Sequence, residues 1–192
     1  QVPLMQVAYK VDSFQLDGKA LVYGQDFYVQ GDNSNTTFHA DEIVFVGYGI
    51  QDEKFNELKN TDLTGKVVLV INEGEPTDGE GKSLLTGNTT KSTWSTSRFK
   101  RLQELTKLNP KLILAVNSQN EEMIKRMNNR GMMGRVALDK GNANQNQRQS
   151  VPVVHIKKSA ADQLLSKVNT SFDQFVGQNF TQPKNTEVIK SA

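Results

Sequence analysis

The sequence predicts a mixed α/β domain, a curved β-sheet or open β-sandwich flanked by helices. Three observations predict it. The first ~70 of the 192 residues carry strand patterns and turn formers with no helical stripe. From residue 98 onward, helix and strand patterns alternate. Two apolar runs, DEIVFVGYGI (residues 41–50) and GKVVLVI (65–71), are rich in β-branched and aromatic residues and bounded by turn formers, as buried strands are.

In order, Val7, Tyr9 and Val11 alternate with polar residues, and Phe14 and Leu16 lead into Asp17-Gly18, a two-residue hairpin signal. Ala20, Val22 and the run to Val29 give the return strand, and residues 31–37 are a polar turn cluster. In the first central strand Gly47 and Gly49 flank Tyr48, so a bulge or close backbone approach is expected there. Leu63-Thr64-Gly65-Lys66 is a tight turn into the second. Residues 98–108 place Phe99, Leu102, Leu105 and Leu108 on one helical stripe, stopped by Asn109-Pro110. KLILAV (111–116) is a buried strand. Ser118 and Glu121 form a capping box for a helix with Met123, Ile124 and Met127 inward and Gly131 at its end. Residues 135–138 read as a short strand and 141–150 as a polar loop. VPVVHI (151–156) is a strand, followed by a helix capped by Ser159 with Leu164, Leu165 and Val168 inward.

Composition bounds the function. The chain suits one well-buried core with short appendages. Its hydrophobic content is 36%, its mean hydropathy is −0.55, and no apolar run approaches the ~20 residues of a membrane span. With no cysteine, disulfides and thiolate metal sites are excluded. The net charge of +2 divides into −7 over residues 1–97, +6 over 98–140 and +3 over 141–192. The basic middle falls on polar helix faces without an aromatic platform, so no nucleic-acid partner is expected.

The order Val44-Phe45-Val46-Gly47-Tyr48-Gly49, a dozen polar residues, then Asp62-Leu63-Thr64-Gly65-Lys66-Val67-Val68 resembles the protease-associated (PA) domain inserted in secreted di-zinc aminopeptidases. The helix–KLILAV–helix–VPVVHI–helix succession matches that family in order. The resemblance implies a swivelling β/β/α fold, with residues 41–168 as the domain core, 1–40 as a β-rich N-terminal flank and 169–192 as a return segment towards a catalytic domain outside this chain. It implies secretion or periplasmic export. The implied task is non-catalytic, shaping substrate access or mediating protein and peptide contacts. The implied partners are the catalytic domain of the same polypeptide, peptide substrate and a second copy in a homodimer. If the module is an insert, the segments around residues 1–7 and 187–192 leave from the same side.

The family's zinc set is His-x-Asp, a bridging Asp, a Glu-Glu pair, another acid and a final His. A near-mimic exists in His39-Ala40-Asp41, Asp52, Glu121-Glu122, Asp139 and His155. It departs from the family where Glu53-Lys54 follows Asp52. Glu121 is already explained by a capping box, and His155 alternates with Val153 and Val154 as a strand histidine. No catalytic, cofactor-binding or metal residue is therefore assigned, and zinc is expected in the parent's catalytic domain. The competing readings are a free-standing peptide-binding or adhesion module, and a small metal hydrolase built on the mimic.

Other motifs are weaker. Gly81-Lys82-Ser83 lacks the phosphate-loop glycine, since position 76 is Pro76. Asn35, Asn88, Asn169 and Asn179 lie in N-x-S/T sequons, expected by chance in so Asn- and Thr-rich a chain. Residues 72–97 form a long aperiodic stretch, uncommon in compact domains unless functional or disordered. Trp94 is expected to anchor its end on the core. Residues 73–91 are expected to project from the sheet edge as an interaction loop of Glu73, Glu75, Asp78, Glu80, Lys82, Thr89 and Lys91. Its acids lack the alternating spacing of a calcium loop, so a solvated acidic loop is expected.

Overall fold

The computed structural model describes residues 4–8, 15–16, 19–30, 40–59, 61–97, 99–129, 134–138, 151–183 and 186–190, with backbone alone for 4–8, 30, 127–129 and 134–138. The expectations for residues 31–37, 141–150, Asp17-Gly18, His39, Asp139, Asn35 and Gly131, and for the side chain of Met127, lie outside the described residues, as do both chain ends.

In chain order the elements are β1 Leu4–Ala8, β2 Gln15–Leu16, β3 Lys19–Ala20, β4 Phe27–Gln30, β5 Glu42–Phe45, β6 Gln51–Asp52, β7 Phe55–Asn56 and β8 Val67–Ile71. There follow α1 Thr93–Thr96, α2 Lys100–Thr106, β9 Leu112–Val116, α3 Asn120–Asn129, β10 Gly134–Leu138, β11 Val153–Ile156, α4 Lys158–Leu165, α5 Phe172–Gly177 and β12 Glu187–Lys190. Six strands form the central sheet in the order β12-β5-β8-β9-β11-β4. The inner four run parallel, and β12 and β4 close the edges antiparallel. Three two-stranded pairs, β1–β10, β2–β3 and β6–β7, accompany it. The mixed α/β architecture with flanking helices is the one expected. The two strands that carry the family resemblance, β5 and β8, are parallel neighbours. Segments before residue 41 and after 168 each add an edge strand, β4 and β12.

A parallel sheet covered on both faces needs apolar side chains on both sides of each strand. β8 and β9 satisfy this, with every residue buried. Val67, Leu69, Ile71, Leu112, Leu114 and Val116 face one side, where α4 and α5 add Leu164, Leu165, Phe172 and Phe175. Val68, Val70, Ile113 and Ala115 face the other, against Leu105 of α2. Each such burial contributes roughly 1.5–3 kcal/mol, so these two strands are the stable centre. The turn into β8 forms as expected: the Lys66 N–H donates to the Leu63 carbonyl at 3.0 Å, and Gly65 takes φ +70°.

Local capping differs from the sequence expectation. Ser118 does not pair with Glu121. Its N–H and hydroxyl both donate to the Glu73 carboxyl, each at 2.9 Å. A distant acid has taken the serine's donors, so the capping box is not made. Ser159 lies inside α4, which Lys157 precedes without a side-chain cap. Ile124 is buried as expected, but Met123 is 41% exposed and Phe99 59% exposed. Of the rest of the expected stripe, Leu105 is fully buried and Leu102 and Leu108 pack partly buried against the core, with the buried Arg101 beside them.

The stretch 72–97 also departs from expectation. It does not project as a whole but folds back, because Glu75, Pro76, Ser83, Leu85 and Trp94 are buried. Glu75 collects the Ser83 hydroxyl, the Ser92 N–H at 2.7 Å and the Ser95 hydroxyl at 2.6 Å. Burial raises its pKa, but these hydrogen bonds outweigh that and hold the carboxyl below its usual range. From the other side the buried Arg101 guanidinium donates to the carbonyls of Ile71 at 3.0 Å, Trp94 at 3.0 Å and Gly74. Trp94 is the expected anchor, with Lys100 Nζ 5.1 Å from its ring centre.

Arg101→Met leaves three buried carbonyls without their donor. Chemical denaturation is expected to show a loss of roughly 2–4 kcal/mol. Deletion of residues 75–88 removes the Glu75 hub and Leu85 and is expected to abolish the cooperative melt; an unchanged melting temperature would show the loop to be a dispensable appendage.

Candidate functional site

β5 ends in a turn that only glycine makes comfortably. Gly47 and Gly49 have φ of +61° and +65°. The Gly49 N–H donates to the Val46 carbonyl at 2.9 Å, and the Ile71 N–H to the Gly47 carbonyl at 2.8 Å. The close backbone approach expected here is found. A Cβ on Gly47 would lie 2.0 Å from Glu57 Oε2 and 2.9 Å from Phe175 Cζ.

Glu57 reaches this turn because the β6–β7 hairpin, with Gln51 opposite Asn56, returns the chain across it. Its N–H donates to the Ile50 carbonyl at 3.0 Å, and its Oε2 accepts the Tyr48 N–H at 3.0 Å. Glu57 is 4% exposed, and its Oε1 has no hydrogen-bond partner among the described residues. Burial pushes its pKa up to about 8; hydrogen bonds from the Tyr48 and Ile50 backbone and the Arg101 charge only partly oppose this. The side chain is therefore mostly a neutral acid at pH 7. The same burial, with the nearby Glu57, pushes the Tyr48 phenol well above its ordinary value.

Beside Glu57 opens a cleft of about 650 Å³ between the end of β5 and the α5–β12 segment. Phe45, Gly47, Phe175 and Phe180 line its base, while Gln174, Gln178, Asn179 and Gln182 bring carboxamides to its sides. The rings form one cluster. The Phe175 centre is 5.2 Å from that of Phe45, 5.1 Å from Tyr48 and 5.6 Å from Phe180. This packing fixes the base of the cleft, and the carboxamides offer both donors and acceptors.

The residues singled out from sequence fall elsewhere. Glu73 and Glu75 are taken up by Ser118 and by the serine hub. Asp78 accepts the N–H groups of Glu80 and Lys82 at 2.8 and 3.0 Å, which lowers its pKa. Glu80 and Lys82 form an exposed pair at 2.8 Å, and Thr89 and Lys91 are exposed. The interaction-loop set is thus split: Glu75 is buried, Glu73 is half-buried against Ser118, and the other five residues lie on or near the surface. Of the zinc mimic, Asp52 accepts the Lys54 N–H, and Glu121 and Glu122 pair along α3 with Lys125 and Arg126. His155 is buried in β11 and stacked on Tyr28, with ring centres 4.5 Å apart. The described members of the mimic are not brought together, and no group of three His, Asp or Glu able to hold a metal forms among the described residues.

Sequence reasoning missed Glu57 and Arg101. Each carried a signal. Glu57 lies two residues after the buried Phe55, on the same face of an extended segment. Arg101 lies four before Leu105 and seven before Leu108, on the buried face of α2.

Two pH effects follow. The folded-state pKa of Glu57 lies above its unfolded value of 4.5. The folded protein therefore binds more protons between pH 4.5 and about 8, and this group's contribution to stability falls as pH rises through that window. Burial pushes His155 down to about 4 from 6.5; its contribution is complete above pH 6.5 and is lost as pH falls towards 4. Glu57→Gln is expected to raise the melting temperature at pH 8.5 relative to pH 5, compared with the parent chain. His155→Phe is expected to flatten the loss between pH 6.5 and 4. Gly47→Ala is expected to cost roughly 2–4 kcal/mol. Equal pH profiles for the parent and Glu57→Gln would remove the case for a neutral buried acid.

No family model, curated protein or solved structure matches this chain.

Proposed function

We propose that this chain is a non-catalytic binding module of the PA type, belonging to a secreted or periplasmic zinc aminopeptidase-like protein. In that protein it governs substrate access or receives a peptide or protein partner. The observation that carries this reading is the cleft beside β5, about 650 Å³ in volume. Carboxamide and hydroxyl side chains over an aromatic base suit the amides and apolar side chains of a polypeptide. The parallel pairing of the two strands that resemble the family supports the same reading. So does the commitment of Glu121, Glu122 and His155 to contacts far from a shared centre. In this view zinc belongs to the catalytic domain of the same polypeptide. That domain, its peptide substrate and a second copy of the module are the partners.

Calorimetric titration of tri- and tetrapeptides into the 192-residue chain is expected to give saturable binding. The double variant Gln174→Ala, Gln178→Ala should weaken it about thirtyfold, since each of the two lost hydrogen bonds is worth roughly 1 kcal/mol, and leave the melting temperature nearly unchanged. Zinc-dependent release of an amino acid from an aminoacyl anilide by this chain alone would overturn the non-catalytic reading.

A further inference from the structure

Among the described residues the charge of the cleft is one-sided: Glu57 at its base and Glu187 at its rim are the ionisable lining groups, with no lysine, arginine or histidine beside them. Four ionisable groups face Glu57 or its neighbours from other elements: Arg101 of α2, the Tyr48 phenol, Glu187 of β12 and Glu73 beyond Tyr48. Arg101, the only cation among them, directs its Nη1 and Nη2 donors to the carbonyls of Ile71, Gly74 and Trp94. Glu57 is thus a buried carboxyl with one oxygen occupied by the Tyr48 N–H and the other unfilled. A buried polar atom left without a partner costs roughly 1–3 kcal/mol, so a ligand that fills it gains that increment. The aromatic base formed by Phe45, Phe175 and Phe180 favours positive charge in the same space.

We propose that the cleft binds a primary ammonium group of a peptide, a lysine side chain or a free amino terminus, against the Glu57 carboxylate. This rests on reading the cleft as a peptide site and names what in the peptide it recognises. The exchange balances. The neutral Glu57 acid loses its proton to solvent as the ammonium arrives, and a buried ion pair replaces a buried acid. Neither Tyr48 nor Arg101 changes charge between pH 6 and 9: the first is pushed well above its ordinary value, and the second is held near 10. Glu57 is therefore the group that releases the proton.

Three peptides separate the possibilities: acetyl-Gly-Lys-Gly-amide, Gly-Gly-Gly-amide with a free amino terminus, and acetyl-Gly-Gly-Gly-amide. Each is titrated calorimetrically into the full 192-residue chain at several pH values, in buffers of different ionisation enthalpy. Affinity for the lysine peptide is expected to rise by at least tenfold from pH 6.5 to 8.5, with close to one proton released per ligand at pH 6.5. A recognised amino terminus instead gives a bell centred near pH ~8, because an α-amino group loses its own proton there. Glu57→Gln, an isosteric change whose folding is checked by its melt, should remove both the proton release and the pH dependence. Should the doubly blocked peptide bind as well as the others, the cleft remains a peptide site and the ammonium inference is overturned. Should none of the three bind, the peptide-site reading falls with it.

Discussion

The backbone of Ile71 is held on both of its polar groups. Its N–H donates to the Gly47 carbonyl, tying the end of β8 to the turn after β5. Its carbonyl accepts from Arg101, which also reaches Gly74 and Trp94. One strand end thereby fixes two things. It sets the Gly47–Gly49 turn against which Glu57 and Phe175 close, and it draws residues 72–97 back onto the sheet. Without these bonds, neither the base of the cleft nor the folded-back loop has a fixed position.

Besides Glu75 and the Tyr48 phenol, the fold places Arg101, His155 and Glu57 out of water, each managed differently. Arg101 keeps its charge because three carbonyls replace its hydration, although burial holds its pKa near 10. His155 gives up its charge and stacks on Tyr28. Glu57 also holds its proton near neutral pH, yet keeps an oxygen without a partner. Arg101 also keeps a buried Nε without a hydrogen-bond partner among the described residues, but neither it nor His155 lines the cleft, whereas Glu57 does. That contrast, more than any single distance, separates a functional group from a packing group in this fold.

The sheet edges matter to the same end. β12 pairs with β5 in antiparallel register, with Glu187 opposite Phe45. This brings the chain after α5 alongside the turn that carries Gly47. The carboxamide side of the cleft comes from the late segment, its base from Phe45 and Gly47 of the early one with Phe175 and Phe180 of the late one, and the sheet order and the Phe45–Phe175 ring contact join them. Val188, 48% exposed, remains on the outer strand.

The buried strands were legible in the sequence because complete burial on both faces demands an unbroken apolar run, as VVLVI and LILAV show. The Gly47–Tyr48–Gly49 close approach and the Gly65 turn were legible because positive φ leaves few choices of residue. Local capping was misread at Ser118 and Ser159, since a serine's donors go to whichever acceptor the fold brings near, and Glu73 came from 45 residues away. The folded-back loop could not be read either: it has no periodicity, and its burial depends on Glu75 and Arg101 finding partners across the chain. The candidate site was only faintly legible for the same reason. Glu57 is an unremarkable acid in a polar stretch until Tyr48, Phe175 and Phe180 close around it. Periodicity reports which faces are buried, whereas a cleft and a displaced pKa are set by which distant residues share one low-dielectric space.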